Sequence, residues 1–384
     1  MLKVLLGPYS KSASGIATYL LELAEALVNM GVKITIFGFK PQPNIFSIPN
    51  NNMRNNIDWL PIGRDIGSSI AFLPLQAWLN VKVANKLNRI AGEFDVLHTV
   101  SASTSVNLSH INSIITAWSL LINPFKQAHF VTKFYRFPLS VASPMVLFQA
   151  TLIDRLAYTR AKKIICITRQ LRDLLKTHYA IKKVVYIPPV IRIPSKIENI
   201  EGKTFNIFYV SRDLSLPRKN FKTFLRALIR LDKVCSDSQV YVHIIGENIR
   251  GGLNYIRLLK NLKVKIWGHM SRHKILKLYE SVCKPLYVST SIYEEFNYSL
   301  CEALSRGCVA VASNIAVHND LVINKQTGFL CNAWDDSAFF IRLKYLIDNE
   351  NSYYMLRRKS LDHVRKKFDW RVVIPKLLKV YSDF

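Results

Sequence analysis

The sequence predicts an α/β protein made of two doubly wound, Rossmann-like domains that face each other across a cleft. Short apolar segments of strand length alternate with amphipathic segments of helical period, and this alternation restarts after residue 204. The chain has 384 residues, of which 49% are hydrophobic, so it can form two separate cores.

The first half opens with a strand–helix–strand unit. KVLLG at 3–7 reads as a buried parallel strand, and residues 16–30 carry apolar side chains at helical spacing up to Gly31, a residue typical of helix ends. The next strand is predicted at 32–39. Further strands are predicted at 94–100, 113–118, 162–168 and 183–191. Residues 1–190 are therefore assigned to an N-terminal domain.

The polar segment 191–204 is predicted to be a linker, and residues 205–369 to form the second domain. Its strands are predicted at 206–211, 240–247, 264–269, 285–290, 309–313 and 328–332. Helices are predicted between several of them, at 219–231, 273–282 and 299–307. A final helix, about 370–384, is expected to pack back on the N-terminal domain.

The chain is strongly basic, with 53 Lys and Arg against 26 Asp and Glu, a net charge of +27. This balance predicts an anionic partner, such as nucleic acid, lipid headgroups or a phosphorylated substrate. Residues 1–190 carry 21 basic and 8 acidic groups, so the charge is spread over both halves and no separable basic arm is present. The densest patch, at 155–183, has nine basic residues and only Asp173 against them.

The six cysteines are scattered without a C-x-x-C pair, which favours buried free thiols in a reducing compartment and argues against a metal site. The sequence has no apolar run of roughly 20 residues, the length of a membrane-spanning helix, and the nearest, 137–153, is uncharged but interrupted by Pro138 and Pro144. The N-terminal apolar run is too short for a signal peptide and fits a first strand better.

Polar residues follow several predicted strands, where ligands bind in open parallel sheets. Gly15 precedes the first helix, so its amide can face an anion. Arg212 and Lys219 follow one strand of the second domain, and two cations suit a diphosphate. Glu294 follows another strand and Glu302 lies in the next helix, where carboxylates can accept hydrogen bonds from sugar hydroxyls. This mixture suits a nucleotide sugar, although each charged residue taken alone could be an ordinary solvated side chain.

Three segments, two of which contain these charged residues, resemble the sequence motifs of a known protein family. The stretch EEFNYSLCEALSRGCVAVAS at 294–313 resembles the E-G-F-G-L-x-x-x-E-A-M-A-x-G-x-P-V-V-A-S pattern of retaining glycosyltransferases of the GT-B fold, family four. YVSRDLSLPRKN at 209–220 resembles their G-R-x-x-x-x-K-G segment, and HNDLVINKQTGFL at 318–330 resembles a further family segment. The likeness extends over nearly the whole chain and is strongest from about 205 to 332.

The resemblance implies a metal-independent hexosyltransferase that retains anomeric configuration and takes a UDP or GDP sugar as donor, with no further cofactor. Arg212 and Lys219 would stabilise the leaving diphosphate, and Glu294 would face the transferred sugar. Glu302 would bind the ribose hydroxyls. The remaining donor-binding residues would act near the sugar and phosphates: Gly15, Phe296, Asn297, Tyr298, Ser299 and Leu300.

The sequence departs from the family pattern in several places. Glu295 and Asn297 replace two glycines of the motif, and Ser14 replaces the first of an N-terminal glycine pair. Trp118 occupies the position where the family often has an active-site histidine. His98 is a second candidate for the acceptor or active site, with a satisfied strand-end histidine as the alternative.

The resemblance also implies that the N-terminal domain binds the acceptor. Residues 119–153 combine apolar and aromatic side chains with Lys126, Lys133 and Arg136 and contain no acid. This composition suits contact with an anionic membrane surface, and the alternative is a helical hairpin packed in the core. We expect a cytoplasmic enzyme, peripheral on the inner face of the plasma membrane, that glycosylates a lipid-linked glycan in polysaccharide, O-antigen or lipopolysaccharide biosynthesis.

Two other functions remain open from the sequence. One is another enzyme of the same fold, such as a nucleotide-sugar epimerase or a phosphorylase. The other is a basic nucleic-acid-binding protein, which only the charge favours, since no binding module is recognisable. The pairing of Glu294 and Glu302 with Arg212 and Lys219 favours the transferase, with no nucleic acid as partner.

Overall fold

The computed structural model describes residues 1–9, 14–40, 56–64, 83–100, 113–117, 152, 155–235 and 240–383. The chain divides into two compact units. The described residues of the first unit lie within 1–190 and again from 370 onward, and the second unit is Ile191–Asp369. Both units contain a parallel sheet with helices, so the predicted fold class of two Rossmann-like domains is confirmed.

The first unit is built on a parallel sheet of seven strands in the order β3-β2-β1-β4-β5-β6-β7. The strands are β1 (Lys3–Tyr9), β2 (Lys33–Lys40), β3 (Ile57–Arg64), β4 (Val96–Thr99), β5 (Ser113–Ala117), β6 (Lys163–Cys166) and β7 (Val184–Tyr186). The order reverses at β1, as in doubly wound folds. Strands β4 and β5 are buried along their whole length because both faces of a parallel sheet are covered.

Strand β3 was not predicted. Its sequence, IDWLPIGR, contains a proline and an aspartate, which weaken a strand signal. It lies at the edge of the sheet, where Pro61 does not interrupt a central ladder.

Helices accompany the strands of the first sheet. The helix α1 (Ser14–Val28) follows β1, and α2 (Arg169–His178) follows β6, with Thr168 accepting a hydrogen bond from the Leu171 amide as its N-cap. Further helical residues lie at 83–90 and 155–160. The C-terminal helix, α10 (Trp370–Tyr381), returns to this unit and packs against α1.

The second unit is built on six parallel strands in the order β10-β9-β8-β11-β12-β13. They are β8 (Phe205–Asp213), β9 (Val240–Glu247), β10 (Lys263–Gly268), β11 (Pro285–Ser289), β12 (Val309–Ser313) and β13 (Gly328–Cys331). The order reverses between β8 and β11. That reversal marks the topological switch point of the sheet.

Seven α-helices lie among the described residues of the second unit. They are α3 (Phe221–Asp232), α4 (Leu253–Ile256), α5 (Arg272–Glu280), α6 (Tyr298–Ser305), α7 (Ala316–Leu321), α8 (Asp336–Asp348) and α9 (Glu350–Phe368). Helices α3 and α8 cover one face of the sheet through a buried cluster that includes Phe224, Leu228, Phe339 and Leu343. Burying side chains of this size contributes about 1.5–3 kcal/mol each.

The segment 191–204, which the sequence assigns to a linker, is counted with the second unit. Three arginines donate hydrogen bonds to its backbone carbonyls. Arg306 bonds to the Arg192 carbonyl at 2.9 Å, Arg357 to that of Glu198 at 3.1 Å, and Arg365 to that of Ser195 at 3.3 Å. These side chains satisfy several carbonyls of the segment, and the Ile191 amide donates to the Phe368 carbonyl at 2.9 Å.

None of the helices in the described part of the chain is both long enough and apolar enough to cross a bilayer.

Candidate functional site

The second sheet brings two predicted site segments together at its switch point. Strand β8 pairs directly with β11, although Asn206 and Pro285, which face each other in the two strands, are far apart in the sequence. The turn Pro217–Lys219 follows β8, and the loop that carries Glu294 follows β11. Because parallel strands end at the same edge of a sheet, both segments lie at one crevice.

Hydrogen bonds to backbone carbonyls fasten the two segments to each other. The Ile292 amide donates to the carbonyl of Arg218 at 2.8 Å. The hydroxyls of Tyr209 and Thr290 donate to the carbonyl of Lys219 at 2.7 and 3.1 Å. The backbone positions of Arg218 and Lys219 are therefore fixed relative to the loop before Glu294.

Glu294 is held by two cations and a hydroxyl. Lys219 Nζ lies 2.6 Å from Glu294 Oε1, and Arg218 Nη1 lies 2.9 Å from Oε2. Ser291 Oγ donates to Oε1 at 2.7 Å. The side chains of Glu294, Lys219 and Arg218 are 6%, 13% and 18% exposed, so little solvent screens the cluster.

The electrostatics keep Glu294 ionised. Burial alone would raise its pKa, but Lys219 and Arg218 outweigh burial and lower the pKa of Glu294 to about 2. Burial lowers the pKa of Lys219, and the Glu294 carboxylate opposes that effect. With two cations on one carboxylate, the cluster carries one net positive charge and can attract an anion.

Arg212 is the other cation expected at this edge. It lies near the carboxyl end of β8 and its side chain is exposed. The neighbouring Ser211 is buried, and its hydroxyl donates a hydrogen bond to the Asp213 carbonyl at 2.9 Å at the end of the strand. Arg212 thus sits at the predicted strand end, while Lys219 and Arg218 make the direct contacts to Glu294.

Glu302 lies in helix α6 and is paired with a residue that the family pattern does not include. Arg272 Nε, at the start of α5, lies 2.5 Å from Glu302 Oε1. The Glu302 side chain is 11% exposed and that of Arg272 is 39% exposed. Arg272 therefore covers a nearly buried carboxylate from the solvent side.

Asn297 caps the helix that carries Glu302. Its Oδ1 accepts a hydrogen bond from the Leu300 amide at 3.2 Å, and its Nδ2 donates to His318 Nε2 at 2.9 Å. His318 Nδ1 in turn donates to the Ser313 carbonyl at 2.8 Å, which fixes the neutral tautomer. Burial lowers the pKa of His318 to about 4. The resemblance places Leu300 near the phosphates. In this structure the Leu300 amide donates its hydrogen bond to Asn297.

The remaining donor-site candidates surround this cap. Phe296 is buried and makes edge-to-face contact with Tyr298, with ring centroids 4.9 Å apart. Leu300 is fully buried. Ser299 is half-buried and forms a side-chain hydrogen bond with Tyr287.

Two candidates belong to the first unit. Gly15 is exposed in the first turn of α1, with open space where a Cβ would lie. His98 is fully buried, with Nδ1 at 2.6 Å from the Tyr381 hydroxyl and Nε2 at 2.5 Å from the Thr116 hydroxyl. Burial lowers the pKa of His98 to about 3. This geometry is that of a satisfied core histidine, the alternative that the sequence left open.

Trp118, Lys126, Lys133 and Arg136 lie outside the described residues. Their predicted roles at the acceptor site and at a membrane stay predictions.

Sequence reasoning missed three residues that contact predicted site residues: Arg218 at Glu294, Arg272 at Glu302 and His318 at Asn297. Arg218 is adjacent to Lys219 in the PRKN segment, so a pair of basic residues before a helix was an available signal. Arg272 contacts Glu302 from 30 positions away, and His318 contacts Asn297 from 21 positions away. No local sequence pattern predicts those contacts.

Family models match both halves of the chain. The model described as "Glycosyl transferases group 1" matches residues 191–362, and the model described as "Glycosyltransferase Family 4" matches residues 13–193. Together the matches span most of the chain, which therefore belongs to the glycosyltransferases that carry these two domains. The predicted family resemblance is confirmed at that level.

Individual relatives are distant. Glycogen synthase of Mycobacterium tuberculosis is 28% identical over 114 residues, which are 30% of this chain and 27% of that protein. Similar solved structures include sucrose-phosphate synthase from Thermosynechococcus elongatus (TM-score 0.77, 16% identity, covering 100% of this chain and 99% of that one). Anabaena HepE in complex with UDP and glucose has a TM-score of 0.71 at 18% identity, covering both chains fully (100%). The lipopolysaccharide outer core galactosyltransferase WaaB has a TM-score of 0.69 at 14% identity, again covering 100% of both chains. These similarities establish the GT-B fold.

Proposed function

We propose that this chain is a retaining, metal-independent glycosyltransferase that moves a sugar from a nucleotide-diphosphate sugar to a lipid-linked glycan. The observation that carries the proposal is the cluster of Lys219, Arg218 and Glu294 at the switch point of the second sheet. A buried site with net positive charge is suited to the negative charge that develops on a leaving diphosphate.

The proposed site residues bind different parts of the donor molecule. Lys219 and Arg212 bind the diphosphate, and Ser299 and Leu300 lie beside it. Glu302 accepts hydrogen bonds from the ribose hydroxyls. Glu294, which is ionised in this structure, faces the transferred sugar together with the backbone of Phe296, Asn297 and Tyr298.

No step of this proposal requires a metal ion, because fixed side-chain cations supply the charge that a metal would otherwise provide. Turnover should be unchanged by a chelator such as EDTA and by added Mg²⁺. Loss of turnover in EDTA that Mg²⁺ restores would contradict the metal-independent part of the proposal.

The donor class is tested by thermal shift with UDP, GDP, ADP and CMP on the wild type and on Lys219→Ala. A ligand present at about 100 times its Kd stabilises the folded state by about 2.7 kcal/mol. We expect one nucleoside diphosphate, most simply UDP as in the HepE complex, to raise the melting temperature of the wild type only. No response to any nucleotide would count against the transferase.

The first unit, with the basic patch at 155–183, is proposed to bind the acceptor at the inner face of the plasma membrane. Leu152 and Leu156 are 49% and 40% exposed, one helical turn apart in sequence, and Arg155 and Arg160 are exposed nearby. Exposed apolar side chains beside basic ones suit an anionic lipid surface. Lys126, Lys133 and Arg136 are the proposed membrane residues, and Trp118 is the proposed acceptor-side residue. Gly15 stays a proposed donor-binding residue, and His98, which is buried and hydrogen-bonded at both ring nitrogens, is assigned no contact with the acceptor.

Liposome flotation tests the membrane part of the proposal. We expect the wild type to float with vesicles containing anionic phospholipid and to stay in the soluble fraction with zwitterionic vesicles. The double variant Leu152→Ser/Leu156→Ser should float less. Arg230→Gln, which changes an arginine of the second unit paired with Asp336, is the control and should float as the wild type does. Equal recovery of the wild type in the soluble fraction with both kinds of vesicle would contradict membrane docking.

A further inference from the structure

The contact between Lys219 and Glu294 poses an electrostatic problem for a diphosphate site. Lys219 Nζ lies only 2.6 Å from Glu294 Oε1, and both side chains are almost buried. A lysine and a carboxylate in contact have no net charge and attract an anion only weakly. If these two residues were alone, the site would offer little to a diphosphate.

Arg218 changes this balance. Its Nη1 lies 2.9 Å from the other oxygen of Glu294, so each carboxylate oxygen has its own cation. The guanidinium stays charged at every accessible pH, which a buried lysine does not guarantee. With Arg218 present, the three side chains carry one net positive charge.

The local backbone allows Arg218 and Lys219 to have different roles. Arg218 and Lys219 are successive residues of one turn, and both of their carbonyls accept hydrogen bonds that fasten the turn to neighbouring segments. The long, flexible Lys219 side chain can turn its ammonium toward a ligand while Arg218 remains at Oε2. Glu294 then keeps a cationic partner throughout.

We propose that Arg218 is a positioning residue: it neutralises Glu294, so that the charge of Lys219 is available to the donor diphosphate. This inference rests on the proposed function and concerns the same site. It assigns Arg218 an indirect role, through Glu294, and no contact with the ligand.

The test is isothermal titration of UDP and of uridine into the full chain. Uridine lacks the diphosphate and reports the nucleoside part alone. We expect R218Q to weaken UDP binding by about tenfold, in line with the loss of a charge-assisted interaction, and to leave uridine binding unchanged. Arg230→Gln, at the far end of α3, is the matched control and should bind both ligands as the wild type does.

The decisive comparison uses Glu294→Gln. Without the Glu294 charge, Lys219 is no longer neutralised and Arg218 has nothing to offset. The double variant R218Q/E294Q should therefore bind UDP as tightly as E294Q alone, and more tightly than R218Q. The double variant removes one positive and one negative charge together. Its comparison with E294Q therefore remains informative if R218Q by itself does not fold.

Two results would overturn the inference. If R218Q bound UDP as the wild type does, Arg218 would have no role in donor binding. If R218Q weakened UDP binding equally with and without Glu294→Gln, Arg218 would act on the ligand directly or only on the fold, and the melting temperature without ligand separates those cases. A wild type that binds no nucleoside diphosphate would instead refute the proposed function, and this inference with it.

Discussion

Arg272 Nε lies 2.5 Å from Glu302 Oε1 and shields the carboxylate that the family resemblance assigns to ribose. The guanidinium belongs to the first residue of α5, and the carboxylate lies in the second turn of α6. A ribose hydroxyl that donates to the same oxygen must compete with Arg272. This arrangement suggests that part of the nucleoside binding energy is used to displace an existing ion pair.

We predict that Arg272→Gln binds uridine about two- to fivefold more tightly than the wild type, because a half-exposed ion pair contributes about 0.5–1 kcal/mol. Glu302→Gln is the matched variant and should weaken uridine and UDP by the same factor, about tenfold, since both contain ribose. Isothermal titration measures these affinities. Unchanged uridine binding in Glu302→Gln would place the ribose elsewhere.

The buried contact between His318 and Asn297 supports the N-terminus of α6. Replacing His318 by Ala removes one hydrogen bond from the Asn297 amide, which keeps its bond to Ser289 Oγ, and one from the Ser313 carbonyl, which keeps the Ile315 amide. Each lost hydrogen bond costs about 0.5–1.5 kcal/mol. Replacement by Gln keeps a donor and an acceptor and should cost less. We expect the melting temperature of His318→Ala to fall by several degrees, and that of His318→Gln by less than half as much. Equal melting temperatures for the two variants would contradict this role.

Three buried histidines predict a loss of stability in mild acid. Burial lowers the pKa of His98 to about 3 and those of His243 and His318 to about 4, from 6.5. Their neutral forms therefore stabilise the fold fully above pH 6.5, and this contribution is lost as the pH falls below 6.5 because the unfolded chain binds the protons more readily.

The melting temperature should fall by about 5 °C or more between pH 7.5 and pH 5. His98→Gln cannot ionise and should show a smaller fall over the same range. The loss that comes from protonating Glu294 belongs to a lower window, from pH 4.5 down to about 2, because its pKa is lowered rather than raised. A pH-independent melting temperature above pH 5 would contradict the assignment to the histidines.

Gly246 is required where β9 ends against the turn after β8. Its φ is +145°, and a Cβ there would collide with the Ser211 carbonyl and crowd Leu214. We predict that Gly246→Ala lowers the free energy of unfolding of the second unit by about 2 kcal/mol or more. Gly251→Ala is the control, because nothing lies within 4 Å of its added Cβ. Denaturation followed by tryptophan fluorescence measures both variants, and equal midpoints would refute the prediction.

Much of the fold could be predicted because its signal is local. A buried strand such as VAVAS is a short, mostly apolar run, and the helices between the strands have a clear period of 3.6 residues. Strand β3 escaped prediction because Pro61 and Asp58 contradict strand propensity, and only its position at the sheet edge makes them tolerable.

The candidate site could be predicted only in part. Glu294, Glu302, Arg212 and Lys219 could be predicted as candidates because they stand in a spaced motif that follows two predicted strands. His98 looks the same in sequence whether it faces a ligand or the core, and only the packing of Tyr381 and Thr116 around its ring distinguishes these cases.

The sequence by itself determined the class of fold, the family and the spacing of the charged motif, because periodicity and spacing are properties of neighbouring residues along the chain. Only the tertiary structure decided which cation meets which carboxylate. Arg218 reaches Glu294 across 76 positions and Arg272 reaches Glu302 across 30. Such pairs form because strand order brings distant loops to one edge of a sheet, where partial burial makes each unpaired charge costly.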